Sequence, residues 1–257
     1  MSWTDHLNGL GMITQKQGDD CDQAQREGMF AMNMAIREKH GMPIPEVIGK
    51  LRPALAARLL EVDDKPGDYK RTGNKDSRCH RPDMLTRDQS TGITALLLVL
   101  DSKKRLSKFF RNMLFRGFFT NNKTGHRNTD KPELHGKSRR DFFGLDQIAN
   151  CIRGLGGIYY LLYPLVLLGD LSLLYSTIKV KKYDKKDDVL NYVLRLVISK
   201  AYFNTVMGRI CAKIADPEDL YRRLHIYFSR QSPNGDHGPP MHELYSVVFL
   251  NKVLKDK

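Results

Sequence analysis

The sequence predicts an all-α protein, with residues 1–257 forming a single domain of about eight to ten helices. Apolar residues recur at helical spacing along most of the chain, and period-two alternation over four or more residues is almost absent. With 257 residues and 41% apolar content, the chain is long enough to bury a core. Two polar stretches without apolar periodicity, residues 63–83 and 120–140, are predicted to be long loops.

The helices are predicted from apolar spacing and from start and stop signals. Gln23 to about His40 carries Met29, Met32 and Ile36 on one stripe and ends at Gly41-Met42-Pro43. Another helix starts at a capping box formed by Thr86 to Gln89. Further helices are expected, in chain order, at residues 45–60, 102–119, 145–153, 158–178, 187–215, 216–229 and 241–254.

The run from Ile158 to Ile178 contains 21 residues with a single charge, Asp170. Its length would suffice for a bilayer, which takes roughly 20 apolar residues. A carboxylate near mid-bilayer costs about 2.5–3.5 kcal/mol on insertion scales, and the flanking chain is charged and helical. The sequence therefore favours a fully buried central helix over a membrane span. In that case Asp170 needs a partner, such as an arginine or a helix N-terminus.

Composition excludes several classes of protein. The formal net charge of +13 argues against a multi-span membrane protein, and the apolar fraction is too high for a disordered tail. The four cysteines have no CxxC spacing, which predicts free thiols in a reducing compartment. The N-terminus has neither a basic nor an apolar signal region, so no secretion signal is expected.

The positive charge is concentrated between residues 101 and 141, where twelve Lys and Arg stand against four acids. One interpretation is a solvated helix face whose phenylalanines belong to the core. The other is a surface for a polyanion: nucleic acid, an anionic membrane or an acidic polysaccharide. The candidate polyanion-binding residues are Lys103, Lys104, Arg105, Lys108 and Arg111.

One polar cluster lies at the start of the first strong helix and includes Asp20, Arg26 and Glu27. Glu27 extends the stripe of Phe30 and Met34 at helical spacing, so its carboxylate is expected to point inward. Either it forms an internal arginine–carboxylate pair that locks two helices, or it has a raised pKa beside an arginine at the floor of a pocket.

A second cluster, Arg87, Asp88 and Gln89, opens the helix that follows the capping box. Gly92 lies one turn below Asp88 and leaves a gap, which either a neighbouring helix or a ligand could fill. His80 precedes this cluster in the polar loop and is a candidate proton carrier.

If the two helices are neighbours, both clusters converge on one cleft. Paired carboxylates flanked by arginines suit acid–base work on a glycosidic bond, or binding of an acidic sugar. The candidate catalytic residues are Glu27, Asp88 and Asp20, and the candidate substrate-binding residues are Arg26, Arg87, His80 and Gln89. His237, His242 and Glu243 are too few for a zinc site, so no metal is expected. No cofactor is expected either, because nucleotide-binding motifs are missing from the sequence.

Several segments together resemble a group of uncharacterised helical proteins encoded by bacteriophages. They are Arg26-Glu27-Gly28, His80-Arg81-Pro82, Arg87 to Gly92, Asp141 to Gly144 and Tyr163 to Leu171. In layout alone, helices with acids and arginines in their N-terminal loops also resemble the (α/α) toroids of polysaccharide lyases and glycoside hydrolases. The second resemblance implies an incomplete (α/α) toroid.

The resemblances imply a phage-encoded protein that binds or cleaves an acidic glycan. A non-catalytic virion or host-interaction protein with a basic surface is the alternative, and a nucleic-acid or membrane-surface binder is the third possibility. Whether the chain is an enzyme stays open. The expected partners are an acidic glycan, other virion proteins, or nucleic acid bound through residues 101–141. The expected location is the host cytoplasm during synthesis, with incorporation into the virion as a further step.

Overall fold

The computed structural model describes residues 7–13, 21–43, 52–77, 79–80, 85–123, 138–182 and 186–231. Within these ranges the all-α prediction is confirmed, since nine α-helices are joined by two short β-hairpins. The helices are α1 (Gln23–Lys39), α2 (Arg52–Leu60), α3 (Arg87–Val99), α4 (Lys103–Phe115), α5 (Leu145–Leu155), α6 (Tyr163–Lys182), α7 (Lys186–Val197), α8 (Val206–Ile214) and α9 (Pro217–Gln231). A 3₁₀ helix (Gly157–Leu162) precedes α6, and a π-helical turn (Ile198–Tyr202) follows α7.

Helices α1 and α3 form the central pair of the core. The capping box predicted for α3 is present. The amide of Thr86 donates to the side chain of Gln89 at 3.1 Å, and the Thr86 side chain accepts from the backbone amide of Gln89. The two helices cross at Gly28 and Gly92. A Cβ on either glycine would overlap the backbone of the other helix. The gap predicted at Gly92 is therefore filled by the backbone of α1.

The two long polar loops predicted from the sequence are interrupted by strands, because each region contributes to a hairpin. Residues 70–77 and 79–80 are irregular, as predicted, and residues 124–137 lie outside the described residues. In the first hairpin, β1 (Glu61–Val62) pairs antiparallel with β2 (Lys65–Tyr69). In the second, β3 (Phe119–Lys123) pairs with β4 (Ser138–Phe142). Strands of two to five residues are too short to carry a clear alternation. The first hairpin is held by packing on α4, where a Cβ on Gly67 would lie 2.7 Å from the Cβ of Lys108.

The helix predicted over residues 187–215 is broken after α7. The π-helical turn and Asn204, at φ +52°, redirect the chain before α8 begins. Thr205 caps α8 by accepting a hydrogen bond from the amide of Gly208 at 2.9 Å. Thr205 and Gly208 lie within a segment whose apolar residues keep helical spacing, so that spacing does not indicate the break. The helix predicted at residues 241–254 lies outside the described residues.

The prediction of a fully buried central helix is wrong for α6, because only one of its faces is buried. Val166, Gly169, Leu173 and Thr177 form that face, which packs on α5, α7 and α8. A Cβ on Gly169 would overlap atoms of Leu145 and Ala149, so α5 and α6 approach closely.

Asp170 of α6 has an arginine as its partner, which is one of the two kinds of partner expected from the sequence. Its Oδ1 lies 2.5 Å from Nη2 of Arg153, which is on α5. Both side chains are largely shielded from solvent. The pair therefore ties α6 to α5 without exposing the carboxylate to the apolar outer face.

The prediction of free thiols is wrong for Cys21 and Cys79, which form a disulfide with a Cα–Cα distance of 5.3 Å. The segment after β2 passes over the start of α1, where the amide of Ala24 donates to the carbonyl of Arg71 at 2.9 Å. This contact brings the two cysteines together although they are 58 residues apart. Cys151 and Cys211 are buried free thiols. Because disulfides persist mainly in oxidising compartments, the sequence argument for a reducing compartment loses its basis.

Candidate functional site

Glu27 forms a buried ion pair between α1 and α2. The residue is 1% exposed. Its Oε1 accepts hydrogen bonds from the amide of Ile13 at 2.6 Å and from the guanidinium of Arg52 at 2.8 Å. Burial raises the pKa of Glu27, and Arg52 and the Ile13 amide oppose that rise. Of the two interpretations of the sequence, the internal pair that locks two helices describes this contact.

Gln89 joins the N-terminal ends of α1 and α3. Its amide nitrogen donates to the carboxylate of Asp22 at 2.9 Å and to the carbonyl of Cys21 at 3.1 Å. Arg71 binds the same two residues, at 3.1 Å and 2.9 Å respectively. Arg26 is also buried within α1. These contacts join the disulfide region to the α1–α3 pair. Arg26 and Gln89 therefore lie in the interior of this pair.

His80 lies beside this region in the segment that follows β2. Partial burial lowers the pKa of its imidazole, and the positive charges of Lys70 and Lys75 lower it further. The ring therefore favours the neutral form at pH 7. Asp20, the third candidate carboxylate, lies outside the described residues.

Asp88 contacts α7, whereas Glu27 contacts α2. Oδ1 of Asp88 accepts a hydrogen bond from Nδ2 of Asn191 at 2.8 Å, and Arg87 lies 3.3 Å from the same oxygen. The side chains of Arg87 and Asp88 are 40% and 34% exposed, whereas Glu27 is sealed. Within the described residues, the single solvent-open cleft predicted for Glu27 and Asp88 is therefore not formed.

Asp88 belongs to a different group of polar residues, where α3, α5 and α7 meet. We call this group the polar layer; it comprises Asp88, Asp146, Gln147, Asn191 and Arg195. Nη1 of Arg195 lies 2.8 Å from Oδ2 of Asp146. Asp146, Gln147 and Asn191 are each at most 3% exposed.

No functional role was predicted from the sequence for Asp146, Gln147, Asn191 or Arg195. A signal for two of them was present, because Asn191 and Arg195 stand four residues apart on α7 and so share one side of that helix. Most of the neighbouring α7 residues are buried and apolar, among them Tyr192, Val193 and Leu194. Polar residues at helical spacing in such a helix indicate an internal partner.

The candidate polyanion-binding residues lie on α4. Lys103, Lys104 and Arg111 are exposed, and Lys108 is half-buried against the first hairpin. Arg105 is partly neutralised, because its Nε lies 3.5 Å from Glu61. The phenylalanines divide between the two interpretations, since Phe109 and Phe110 are core residues whereas Phe115 is 80% exposed.

The outer side of α6 and of the preceding 3₁₀ helix is apolar and exposed. We call this surface the α6 face; it comprises Tyr160, Leu161, Tyr163, Leu167, Leu168, Leu171, Tyr175 and Ile178. On α6 itself, Leu167, Leu168, Leu171, Tyr175 and Ile178 recur at the intervals of one side of a helix. Residues Tyr159–Val180 are long and apolar enough to cross a membrane, which by length and composition alone is weak evidence for a span.

Comparison with known proteins yields no relative: no family model, no curated protein and no solved structure matches the chain. Among the described residues there is also no group of three or more His, Cys, Asp or Glu side chains that could hold a metal ion. The features that bear on function are therefore the α6 face, the basic residues of α4 and the polar layer.

Proposed function

We propose that the protein binds anionic membrane surfaces, with the α6 face in the lipid–water interface and the basic residues of α4 on the headgroups. The observation that carries this proposal is the α6 face, a continuous row of large apolar side chains in contact with solvent. Exposed apolar patches beyond a few hundred Å² usually mark interaction sites. Leu161 alone is 82% exposed, and seven further large side chains continue the surface.

The composition of the α6 face suits a bilayer interface. Its central residues are leucines, and tyrosines lie near both ends, at Tyr160, Tyr163 and Tyr175. Tyrosine prefers the headgroup level, where its ring is in an apolar layer and its hydroxyl reaches water. Leucine side chains gain free energy when they enter the acyl boundary.

Cationic side chains lie next to one end of the α6 face. Tyr159 of the 3₁₀ helix shares a hydrogen bond of 2.7 Å with Ser107 of α4. Three cationic residues are one helical turn from Ser107 and so surround this contact on the surface of α4. They are Lys103 and Lys104 on one side and Arg111 on the other. A basic group beside an exposed apolar surface is complementary to an anionic headgroup layer.

Charge and shape favour a lipid surface over the other partners. A symmetric dimer through the α6 face would bring together two copies of a chain whose net charge is +13. Nucleic acid would use the lysines but would leave a row of leucines in water. A complete span would require α6 to leave α5, including the Arg153–Asp170 ion pair.

The acidic-glycan enzyme expected from the sequence has less support. It requires Glu27 to reach solvent, and the burial of Glu27 beside Arg52 removes that support. A virion or host-interaction protein would use the same basic surface with a protein partner. Binding to protein-free vesicles separates the lipid proposal from both alternatives.

The test measures co-sedimentation of the protein with vesicles of phosphatidylcholine alone and of phosphatidylcholine mixed with phosphatidylglycerol. We expect binding to the anionic vesicles that weakens as salt is raised. Lys103→Ala/Lys104→Ala should lower this affinity on the order of 30-fold, at about 1 kcal/mol per lysine near the surface. The matched control is Lys213→Ala, an exposed lysine on α8.

A second pair of variants tests the apolar contribution. Leu161→Ser should lower affinity by about 10- to 150-fold, since burying a leucine side chain is worth about 1.5–3 kcal/mol. Leu55→Ser, at an exposed leucine on α2, should have no effect. If neither vesicle binds the protein, or if the controls lose as much affinity as the test variants, the proposal fails. Binding of a short DNA duplex in place of vesicles would instead favour the nucleic-acid alternative.

A further inference from the structure

We infer that the polar layer between α3, α5 and α7 binds a small, neutral ligand rich in hydroxyl groups, such as a monosaccharide or the end of a neutral glycan. The inference is independent of membrane binding, because it uses residues in the protein interior. It begins from side-chain atoms that the fold buries without a protein partner.

Four polar atoms of the layer have no hydrogen-bond partner in the described part of the chain. They are Oδ1 of Asp146, Oδ1 of Asn191, and both Oε1 and Nε2 of Gln147. Each belongs to a residue that is at least 97% buried. Leaving a buried polar group unpaired costs about 1–3 kcal/mol, so a fold rarely keeps several such atoms together without a use for them.

Two of these atoms lie beside the same point of the backbone. Gly144 precedes α5 at φ +103°, and a Cβ built on it would lie 3.0 Å from Oδ1 of Asp146 and 3.8 Å from Nε2 of Gln147. Glycine is favoured there by its backbone conformation, and a Cβ at that position would crowd Oδ1 of Asp146. An acceptor and a donor therefore flank the same glycine.

Each carboxylate of the layer has an arginine beside it, which favours a neutral ligand over an ion. Arg195 offsets Asp146 at 2.8 Å, and Arg87 lies 3.3 Å from Asp88. A divalent cation would have to approach the guanidinium of Arg195, and an anion would meet two carboxylates. A hydroxyl group both donates and accepts, so it can satisfy the Asp146 carboxylate and the Gln147 amide together.

The layer reaches the surface at the start of α3. Asn191 is buried but donates to Asp88, whose side chain is 34% exposed next to Arg87. A ligand would thus approach past Arg87 and Asp88, two residues that the sequence marked as candidates. Glu27 and Arg52 have no part in this path, because they lie between α1 and α2.

The test uses Gln147→Met, which keeps the length of the side chain and removes both polar atoms. The probes are glucose, galactose, N-acetylglucosamine and its β-1,4-linked disaccharide, each at millimolar concentration. Saturation-transfer NMR and the thermal unfolding midpoint are recorded for parent and variant. We expect at least one probe to bind the parent and raise its midpoint, and both effects to disappear in Gln147→Met.

The matched control is Gln23→Met, at a buried glutamine whose oxygen accepts from the Thr72 hydroxyl at 2.6 Å and from the amide of Gly73 at 3.1 Å. We expect this control to melt at a lower temperature and to retain the probe-induced rise. Gln147→Met without probe should melt at or above the parent temperature, because it removes unpaired groups. Binding of the disaccharide but not of the single sugars would identify a glycan end as the ligand.

Two results would overturn the inference. One is that no probe binds the parent, or that the probes bind parent and Gln147→Met equally. The other is a crystal structure, grown with saturating probe, in which only ordered water contacts Asp146 and Gln147. In that case the layer is a hydrated structural core.

Discussion

Removing the Cys21–Cys79 disulfide should lower the free energy of unfolding by about 4 kcal/mol. The bridge joins residues 58 positions apart. The chain-entropy relation for a closed loop of that length gives about 4 kcal/mol at 25 °C. The loop contains α1, α2 and the first hairpin, so the unfolded chain gains freedom over a large part of the core when the bridge is removed.

The perturbation is Cys21→Ala/Cys79→Ala, compared with the oxidised parent and with the parent in dithiothreitol. Urea unfolding followed by circular dichroism should give the highest midpoint for the oxidised parent, and similar lower midpoints for the other two. With a slope of about 1–3 kcal/mol per molar urea, a loss of 4 kcal/mol shifts the midpoint by more than about 1 M. The double variant should not respond to dithiothreitol.

Thiol titration provides an independent check of the bridge. In denaturant without reductant, the parent should show two reactive thiols, those of Cys151 and Cys211. Four thiols would show that the bridge does not form in solution. Equal urea midpoints with and without dithiothreitol would refute the claim that the bridge stabilises this fold.

Two further predictions concern α1. Gly28→Ala should lower the free energy of unfolding in urea by about 3 kcal/mol or more, because its Cβ overlaps the backbone of Gly92. Gly9→Ala, with open space around it, should change the free energy of unfolding by less than about 1 kcal/mol. Arg52→Met should cost about 3–5 kcal/mol at pH 8, since it leaves the Glu27 carboxylate buried without its cation. Burial raises the pKa of Glu27, so as the pH falls the folded state takes up a proton before the unfolded chain does. The loss of stability caused by Arg52→Met should therefore shrink as the pH falls toward 5. A loss that does not change with pH would contradict the assignment of Arg52 as the partner of a charged Glu27.

The sequence predicted the elements whose causes are local. The capping box of α3 is contained in four residues, and the apolar stripe of α1 needs no partner to be recognised. The first hairpin and the disulfide depend on contacts with distant segments. Gly67 fits because α4 passes beside it, and Cys79 meets Cys21 because Arg71 binds the start of α1. Neither contact leaves a periodic trace in the sequence.

The candidate site was predicted only in part, because it also depends on contacts between residues that are distant in the sequence. Helical spacing correctly indicated that Glu27 points inward, but its partner Arg52 lies 25 residues away on another helix. Asp88 was identified from its place at the start of α3, whereas Asn191, which turns it toward α7, is 103 residues distant. Spacing therefore identifies which side of a helix a residue occupies, and the packing of helices decides which residues meet there.

Most of the large apolar side chains of α6 lie on its exposed side, although Val166 and Leu173 are buried. Its buried face includes Gly169, which allows a close approach to α5, and Thr177, whose hydroxyl accepts a hydrogen bond from Tyr192 of α7. Its largest apolar residues, such as Leu171 and Tyr175, lie on the opposite side, in solvent. A helix selected only to complete the core would bury its leucines and expose its small and polar residues, because burial of a leucine contributes about 1.5–3 kcal/mol. The outer leucines are exposed and so add little to folding stability. A surface that covers them would gain the free energy of removing them from water.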